Sequence, residues 1–434
     1  MKKKDKLSIA IVGCGRVASF HASAIKKIEN LNLVAVSDIN ESRLQSFKFE
    51  LPIAKYSNYK EMLFKHPDID VVAIITPSGC HFEQAKEIIE TFQKSVVIEK
   101  PVVMRPSDGE LLIKAARENK VHIFPSHQYR FNKCVQRIKE ALNKGELGDP
   151  FMATVRMRWC RPQRYYDMDA WRGTYSMDGG CFTNQGIHHL DLLRYLCGEV
   201  KRVNAIFKTF GSKIEVEDTG VVNLEFENGS IGVVEITTAA RPDDYESSLS
   251  ILGSRGLAML GGWATDKLLK FSPDPNQEEL CSENFSSAYG YGHVEIYKGV
   301  YSKICKKEAE AVKMSDALLT LRFLHSLYVS HEKNKWIDDS YFLIGKALFY
   351  KQEYTEALEM FAFINREYDG YIADLSVMWS ARAQIELENF TTAEQQMFYL
   401  DKEVKLKKPD YALFLEINAN YHIKQNNWEK VITY

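Results

Sequence analysis

An apolar run that ends in a glycine turn sets the fold of the first third of this chain. Residues 7–15, LSIAIVGCG, read as a buried strand, and RVASFHASAIKKI behind them carries the apolar spacing of a helix. Strand, glycine turn and helix in that order open a doubly wound sheet. The turn is Gly13-x-Gly15-x-x-Ala18. Gly13 makes the tight bend, Gly15 lets backbone lie close to a pyrophosphate, and Ala18 permits close helix–strand packing with the phosphates over the helix N-terminus. The second strand, LNLVAVSD, ends in Asp38, 20 residues beyond Ala18. A carboxylate there suits the two ribose hydroxyls of NAD and repels the 2′-phosphate of NADP.

The alternation continues with strand VVAIIT (71–76), helix HFEQAKEIIETF, strand SVVIEKP (95–101), helix SDGELLIKAAREN and strand VHIFPS. Ser107 and Glu110 have the spacing of a capping box. Strands this apolar are buried on both faces, so the sheet is expected to be parallel, with ligands bound beyond its carboxyl ends. Thr76-Pro77-Ser78 and Glu99-Lys100-Pro101 stand at such ends. Lys100, between a buried strand and a proline, is expected to face the crevice.

From about residue 150 the period changes to two. FMATVRMRW, VKRVNAIFKTF, DTGVVNLEFENGSIGVVEITTAA and SSLSILGSRGLAMLGG read as strands of one antiparallel sheet, with Glu227–Ser230 as a hairpin turn. The predicted fold class is α/β, a Rossmann domain at 1–125, followed by an α+β substrate and oligomerisation domain at 126–335. Between them WRGTYSMDGGCFTNQGIHHLDLLRYLCG (171–198) reads as a helix opened by Gly179-Gly180, with room for a ligand against the glycines. Asn184 and His188, four apart, would share one face, and Leu192, Leu193 and Leu196 would form the buried stripe. Packing alone does not call for the polar cluster of Asn184, His188, His189 and Asp191. Adjacent histidines diverge on a helix, so no metal site is expected there, and His189 is read as structural. Histidine, with an ordinary pKa of about 6.5, suits removal of a hydroxyl proton at neutral pH. Lysine, at about 10.4, would polarise the oxygen, or act as base only if burial lowered its pKa.

With these pieces the chain resembles the glucose-fructose oxidoreductase / inositol dehydrogenase / rhizopine-catabolism (Gfo/Idh/MocA) family. The carriers are GCGRVA, TPSGCH, EKP and GGCFTNQGIHHLD, and the resemblance runs from residue 7 to about 333. It implies an NAD-dependent sugar dehydrogenase in which Lys100 and His188 flank the reacting carbon. The polar residue four before the histidine is commonly Asp in the family and is Asn184 here. Cofactor contacts are implied at Gly13, Gly15, Arg16, Val17, Asp38, Thr76, Pro77, Ser78, His81, Glu99, Lys100, Gln128 and Gln163. Within the family, RPQRYYDMDAWRGTYSMDGG and IEVEDTGVVNLEF resemble the branch that oxidises the 3-hydroxyl of a UDP-N-acetylamino-sugar uronate for surface polysaccharide. Arg161, Arg164 and Arg172 suit bidentate contacts to carboxylate or diphosphate. Tyr165, Tyr166 and Trp171 suit stacking on sugar or uracil, beside Asn184 and His188. A tetramer built through the second sheet is implied by the family alone. Competing readings are a dehydrogenase of a free sugar or inositol-like polyol, and a non-catalytic scaffold.

The family pattern ends near Lys335, with no Gly/Pro/Ser linker. Tyr341, Ile344, Gly345, Leu348, Ala357 and Phe361 then take the spacing of a tetratricopeptide repeat. EYTEA, ENFTTA and NNWEKV mark the same turn three times, with Ala357, Ala393 and Val431 36 and 38 residues apart. The expectation for 336–434 is a short helical solenoid that would offer a peptide-binding face. Its end at Tyr434, inside a third unit, reads as a truncation or gene fusion. A net charge of −2 gives no argument for a nucleic-acid or membrane partner. No apolar run reaches the roughly 18 residues of a spanning helix. MKKKDK reads as a solvated terminus, not a signal peptide. The eight cysteines form no C-x-x-C pair, which fits a reducing, cytoplasmic setting.

Overall fold

The computed structural model describes residues 5–285, 287–308, 311–333, 339–367 and 371–431. The chain divides into two compact units, Met1–Trp336 and Ile337–Tyr434. In the first, β1 (Leu7–Val12), β2 (Leu31–Ser37), β3 (Ala54–Tyr56), β4 (Val71–Ile74), β5 (Ser95–Ile98) and β6 (Ile123–Pro125) form one sheet in the order β3-β2-β1-β4-β5-β6. Every pairing in it is parallel. The strand order reverses at β1 and β4, so their carboxyl ends frame the crevice in which doubly wound sheets bind ligands. All four residues of β4 and of β5 are buried, as a sheet covered on both faces requires. The helix expected from Ser107 begins one residue earlier, at Pro106, with Arg105 as N-cap. Proline at the first helical position has no N–H to leave unpaired, so it displaces the expected capping box.

The second sheet has seven strands: β7 (Pro150–Arg158), β8 (Val200–Lys208), β9 (Thr219–Phe226), β10 (Ile231–Thr237), β11 (Glu246–Gly253), β12 (Gly256–Gly261) and β13 (Lys267–Phe271). Their order is β13-β12-β11-β7-β10-β9-β8. It is mixed, not wholly antiparallel, because β7 and β10 run parallel from Met152↔Ile231 to Arg158↔Thr237. The chain leaves β7 by a long crossover that contains a helix, and such crossovers return the chain in the same direction. The β8–β9–β10 meander then sets β10 beside β7. β13, only five residues long, was not among the expected strands.

The crossover departs from its sequence pattern. Its helix spans only Ile187–Cys197. Residues 171–186 are mostly a string of turns, and Gly173 and Gly179 have φ of +68° and +67°. Those backbone conformations interrupt a helix and favour glycine. Asn184 therefore does not share a helical face with His188; its N–H donates to Gly180 O across a turn. The helix is buried on nearly every side rather than along a stripe. Its polar residues do serve packing. Asp191 accepts two bonds from Arg130, at 2.7 and 2.6 Å, and one from Thr320 at 2.7 Å. His189 pairs with Ser247 Oγ at 2.8 Å.

In the second unit the helices are Asp339–Tyr350, Tyr354–Glu367, Tyr371–Glu386, Phe390–Glu403, Lys408–Lys424 and the short Trp428–Val431. Gln352, Glu388 and Asn426, 36 and 38 residues apart, all have φ near +60°. Each turn also carries the same long bond, from Glu353 N to Leu348 O, Asn389 N to Gln384 O and Asn427 N to His422 O. That is the Schellman closure of a helix. A Cβ on Gly345 would come within 2.6 Å of the Phe361 ring, so glycine permits the close approach of the first two helices. The side chain of Tyr341, the expected boundary at 335 and the expected end at Tyr434 lie outside the described residues. Among the described residues no helix is long and apolar enough to cross a membrane.

Candidate active site

The glycine turn after β1 is an open cradle. Gly13 has φ of +99°, and a Cβ there would meet Ile75 O at 2.6 Å. A Cβ on Gly15 would meet nothing within 4 Å, which leaves free space where a pyrophosphate approaches. Arg16 and Val17 follow, with Val17 as the N-cap position of the helix Ala18–Lys26 and no side chain capping it. Asp38 lies just beyond β2, with one oxygen accepting Cys14 N–H at 2.7 Å and the other Asn40 N–H at 2.7 Å. The remaining lone pairs are free to take ribose hydroxyls. Burial pushes the Cys14 thiol up to about 12, so it is inert within the turn. Gln128, after β6, keeps a buried Oε1 with no hydrogen-bond partner. Cradle, carboxylate and orphaned acceptor fit a bound NAD.

Other expected cofactor contacts are engaged by the protein. His81 places its two ring nitrogens on Pro101 O at 2.8 Å and Thr76 O at 2.9 Å. It thus ties the Thr76-Pro77-Ser78 turn to the Glu99-Lys100-Pro101 turn, with Ser78 buried. Gln163 Oε1 accepts Lys213 N–H at 2.7 Å, so it anchors a loop of the second sheet. Two side chains of the Rossmann half reach the 163–172 segment: Arg16 contacts Met168 Sδ at 3.1 Å, and Arg43 pairs with Asp169.

Lys100 reaches the other wall of the crevice. Its Nζ donates to Asn184 O at 2.7 Å and, more weakly, to Asn184 Oδ1 at 3.3 Å. The Asn184 amide donates to Asp178 Oδ1, and Asp178 Oδ2 accepts Gly173 N–H at 2.6 Å. His188, buried, stacks on the Tyr129 ring at 4.2 Å between centroids. Burial, then the positive charge of Lys100, holds the His188 imidazole well below its ordinary value. Burial also lowers Lys100, against the attraction of Glu99 and Asp178. Held below its ordinary value, the His188 imidazole is uncharged at neutral pH and keeps a free lone pair.

Behind Lys100 lies a buried carboxylate. Glu99 Oε1 faces His21 Nε2 at 2.9 Å and His293 Nε2 at 3.3 Å, while His21 Nδ1 meets the Tyr297 hydroxyl at 2.9 Å. Burial opposes ionisation of Glu99, but these hydrogen bonds hold it well below the usual carboxylate range. Burial keeps His21 neutral. Glu99 is in this way a fixed anion under the lysine.

The arginine and aromatic rim is only partly open. Arg172 lies between the Tyr165 and Trp171 rings, 4.6 and 4.5 Å from their centroids, and donates to Tyr165 Oη at 2.8 Å. Trp171 Nε1 is buried without a partner. Arg164 is exposed. Arg161, expected to take an anion, is paired with Asp244 at 2.8 Å. Tyr166, expected to stack on ligand, is packed inward with its hydroxyl 3.0 Å from Thr238 Oγ1. Both neighbours, Thr238 and Asp244, come from the connection between β10 and β11, which the local sequence does not reveal. Sequence reasoning also missed Tyr129, Asp178, and His21 and His293, the two partners of Glu99. Asp178 directly precedes the glycine pair and Tyr129 directly follows Gln128, the only local signals either one carries.

Comparison with known proteins adds to this geometry. Residues 7–127 match the model of the oxidoreductase family with an NAD-binding Rossmann fold, and 135–259 that of the GFO/IDH/MocA C-terminal domain. The WlbA dehydrogenase of Bordetella pertussis, solved with NADH and UDP-GlcNAcA, is 33% identical, with a TM-score of 0.72 over 78% of this chain and 99% of its own. The WlbA dehydrogenase of Chromobacterium violaceum, solved with the same two ligands, is 33% identical, with a TM-score of 0.71 over 77% of this chain and 96% of its own. A myo-inositol 2-dehydrogenase of Thermotoga maritima is 28% identical over 76% of this chain and 97% of its own length.

Proposed function

Since the chain belongs to the Gfo/Idh/MocA family of NAD-dependent oxidoreductases, which act on sugar and polyol CH–OH groups, we propose that it oxidises the 3-hydroxyl of a UDP-N-acetylamino-sugar uronate. The product would serve the synthesis of surface-polysaccharide amino sugars. The observation that carries the reading is the meeting of Lys100, from the end of β5, with the Asn184–His188 segment of the opposite wall. NAD supplies the hydride acceptor. Lys100 polarises the hydroxyl oxygen as an ammonium donor, and neutral His188 takes the hydroxyl proton. Two adjacent cations are unfavourable, so one member of the pair stays neutral, and the imidazole is the weaker base.

The nucleotide-sugar part of the reading is supported by Arg172 between two aromatic rings, by exposed Arg164 and by the buried, unpartnered Trp171 Nε1. Guanidinium groups take diphosphate and carboxylate in a fork geometry. The two WlbA structures at 33% identity point the same way. The Thermotoga relative favours a second reading, a free inositol-like polyol. All eight cysteines are free thiols, which supports a cytoplasmic setting. Exposed Ile206, Val221, Ile231 and Val233 on the second sheet support self-association, a tetramer by family resemblance. The repeated turns of the second unit support the tetratricopeptide reading and a peptide partner for it.

The test is NADH formation by the full chain with UDP-N-acetylglucosaminuronate and, separately, with myo-inositol. Turnover of the nucleotide sugar supports the proposal. Turnover of myo-inositol alone replaces it with the polyol reading.

A further inference from the structure

Asn184, which meets Lys100, has a buried carboxylate on its other side, Asp178. Asp178 is 1% exposed. One of its oxygens accepts Gly173 N–H and the other the Asn184 amide N–H. A carboxylate only accepts hydrogen bonds and an ammonium only donates them. Asn184, held between the two, has a single amide orientation that satisfies both: nitrogen toward Asp178, oxygen toward Lys100. The geometry points to Asp178 as the positioning residue of the reacting lysine, acting through Asn184 both to aim the Lys100 ammonium and to balance its charge. The inference rests on the dehydrogenase reading above and extends it to a residue outside the expected site.

The charges around the pair are accounted for. Lys100 is faced by Glu99, Asp178 and Arg172, and its own charge bears on His188. Asp178 is faced by Arg172 and Lys100, and it bears on Glu217 beyond the glycine pair. Glu99 is already committed to His21 and His293. Asp178 is thus the carboxylate on the far wall that acts on Lys100. An aspartate at 184 would abut Asp178, and two carboxylates in contact cannot both ionise cheaply. Asparagine at 184 avoids that conflict and passes the orientation on.

The experiment reads the titration of Lys100 in the NAD-bound full chain, by the pH dependence of its acetylation with acetic anhydride followed by mass spectrometry. Asp178→Asn is expected to lower the Lys100 midpoint by roughly one pH unit, the size of a nearby opposite charge at protein dielectric. It is also expected to lower kcat about 10- to 100-fold with the nucleotide sugar. The double change Asp178→Asn with Asn184→Asp moves the carboxylate to the lysine side and mirrors the bonds. It is expected to restore both the midpoint and most of the turnover. A midpoint unmoved in Asp178→Asn overturns the inference. If that variant does not fold, the swapped pair decides alone: a wild-type midpoint supports the inference, and a displaced one overturns it. Absence of sugar turnover in the wild type would count against the substrate reading only, because the labelling needs no sugar.

Discussion

The two walls of the crevice are built on different physics. On the Rossmann wall, Gly13, Asp38, Thr76 and Lys100 each stand at or just past the end of a parallel strand, located by the ladder of main-chain bonds. On the facing wall, residues 171–186 have little repeating structure of their own. They are held by buried carboxylates: Asp178 on Gly173 N–H and Asn184, and Glu217 on Phe182 N–H at 3.1 Å and Tyr328 Oη at 2.9 Å. A wall made of strand ends takes its position from backbone geometry. A wall made of turns on carboxylates is sensitive to charge and to the space around it. The first wall suits the cofactor, whose shape is constant, and the second suits a substrate subsite.

Four measurements test that contrast, the largest effect first. Removing either reacting side chain should matter most: Lys100→Ala and His188→Ala should each lower kcat by roughly 10²–10⁴ while NAD binding persists. Wild-type turnover in either variant would take that residue out of the mechanism. Gly180→Ala comes next, because a Cβ there would overlap the Glu217 carboxyl. Overpacking of that kind costs about 1–3 kcal/mol, and urea unfolding should register it. An unchanged midpoint would mean that the glycine-pair wall is loose. Gly15→Ala should leave thermal stability unchanged, since its Cβ meets nothing, yet weaken NAD by about tenfold, or about 1.4 kcal/mol, on titration. A loss of stability without a loss of affinity would sink the cradle assignment.

The fourth effect is a pH dependence. Burial pushes the Glu217 carboxyl up to about 7, against an ordinary unfolded value near 4.3. Between those values the folded chain holds the extra proton, so its stability falls as pH rises through the window. Glu217→Gln removes that loss. Its melting temperature relative to wild type should rise from about pH 5 to about pH 8, by the equivalent of roughly 1–3 kcal/mol. A flat difference would mean that Glu217 is ionised in the folded chain and the second wall is less charge-sensitive than argued.

How far the sequence could be read follows the same division. LSIAIVGCGRVA and Asp38 announce the Rossmann wall because turn, strand and helix are neighbours in the chain. The helical tail was legible for a similar reason: its turn at Gln352 recurs at Glu388 and Asn426, each closed by bonds within six residues. The crossover misled because the apolar spacing of Ile187–Cys197 extends back into residues that only look periodic. A positive φ at Gly179 interrupts that pattern, and glycine in a sequence announces freedom without saying that it is used. The parallel pairing of β7 with β10 was illegible because strand order depends on where the crossover lands.

By itself the sequence determined the doubly wound sheet, the glycine cradle with its acidic partner, the meeting of Lys100 and His188 as an expectation, and the repeat period of the tail. Each rests on signals carried within one or two elements. Only the tertiary structure decided that Asn184 meets Lys100 through its main-chain carbonyl as well as its side chain, that Asp178 stands behind it, and that Arg161 and Tyr166 face protein. Apart from the short link between Asp178 and Asn184, those facts depend on residues separated by many tens of positions, such as the 84 between Lys100 and Asn184. Hydrogen bonding and burial at such range are set by how sheets and crossovers pack, and no local pattern of residues encodes that placement.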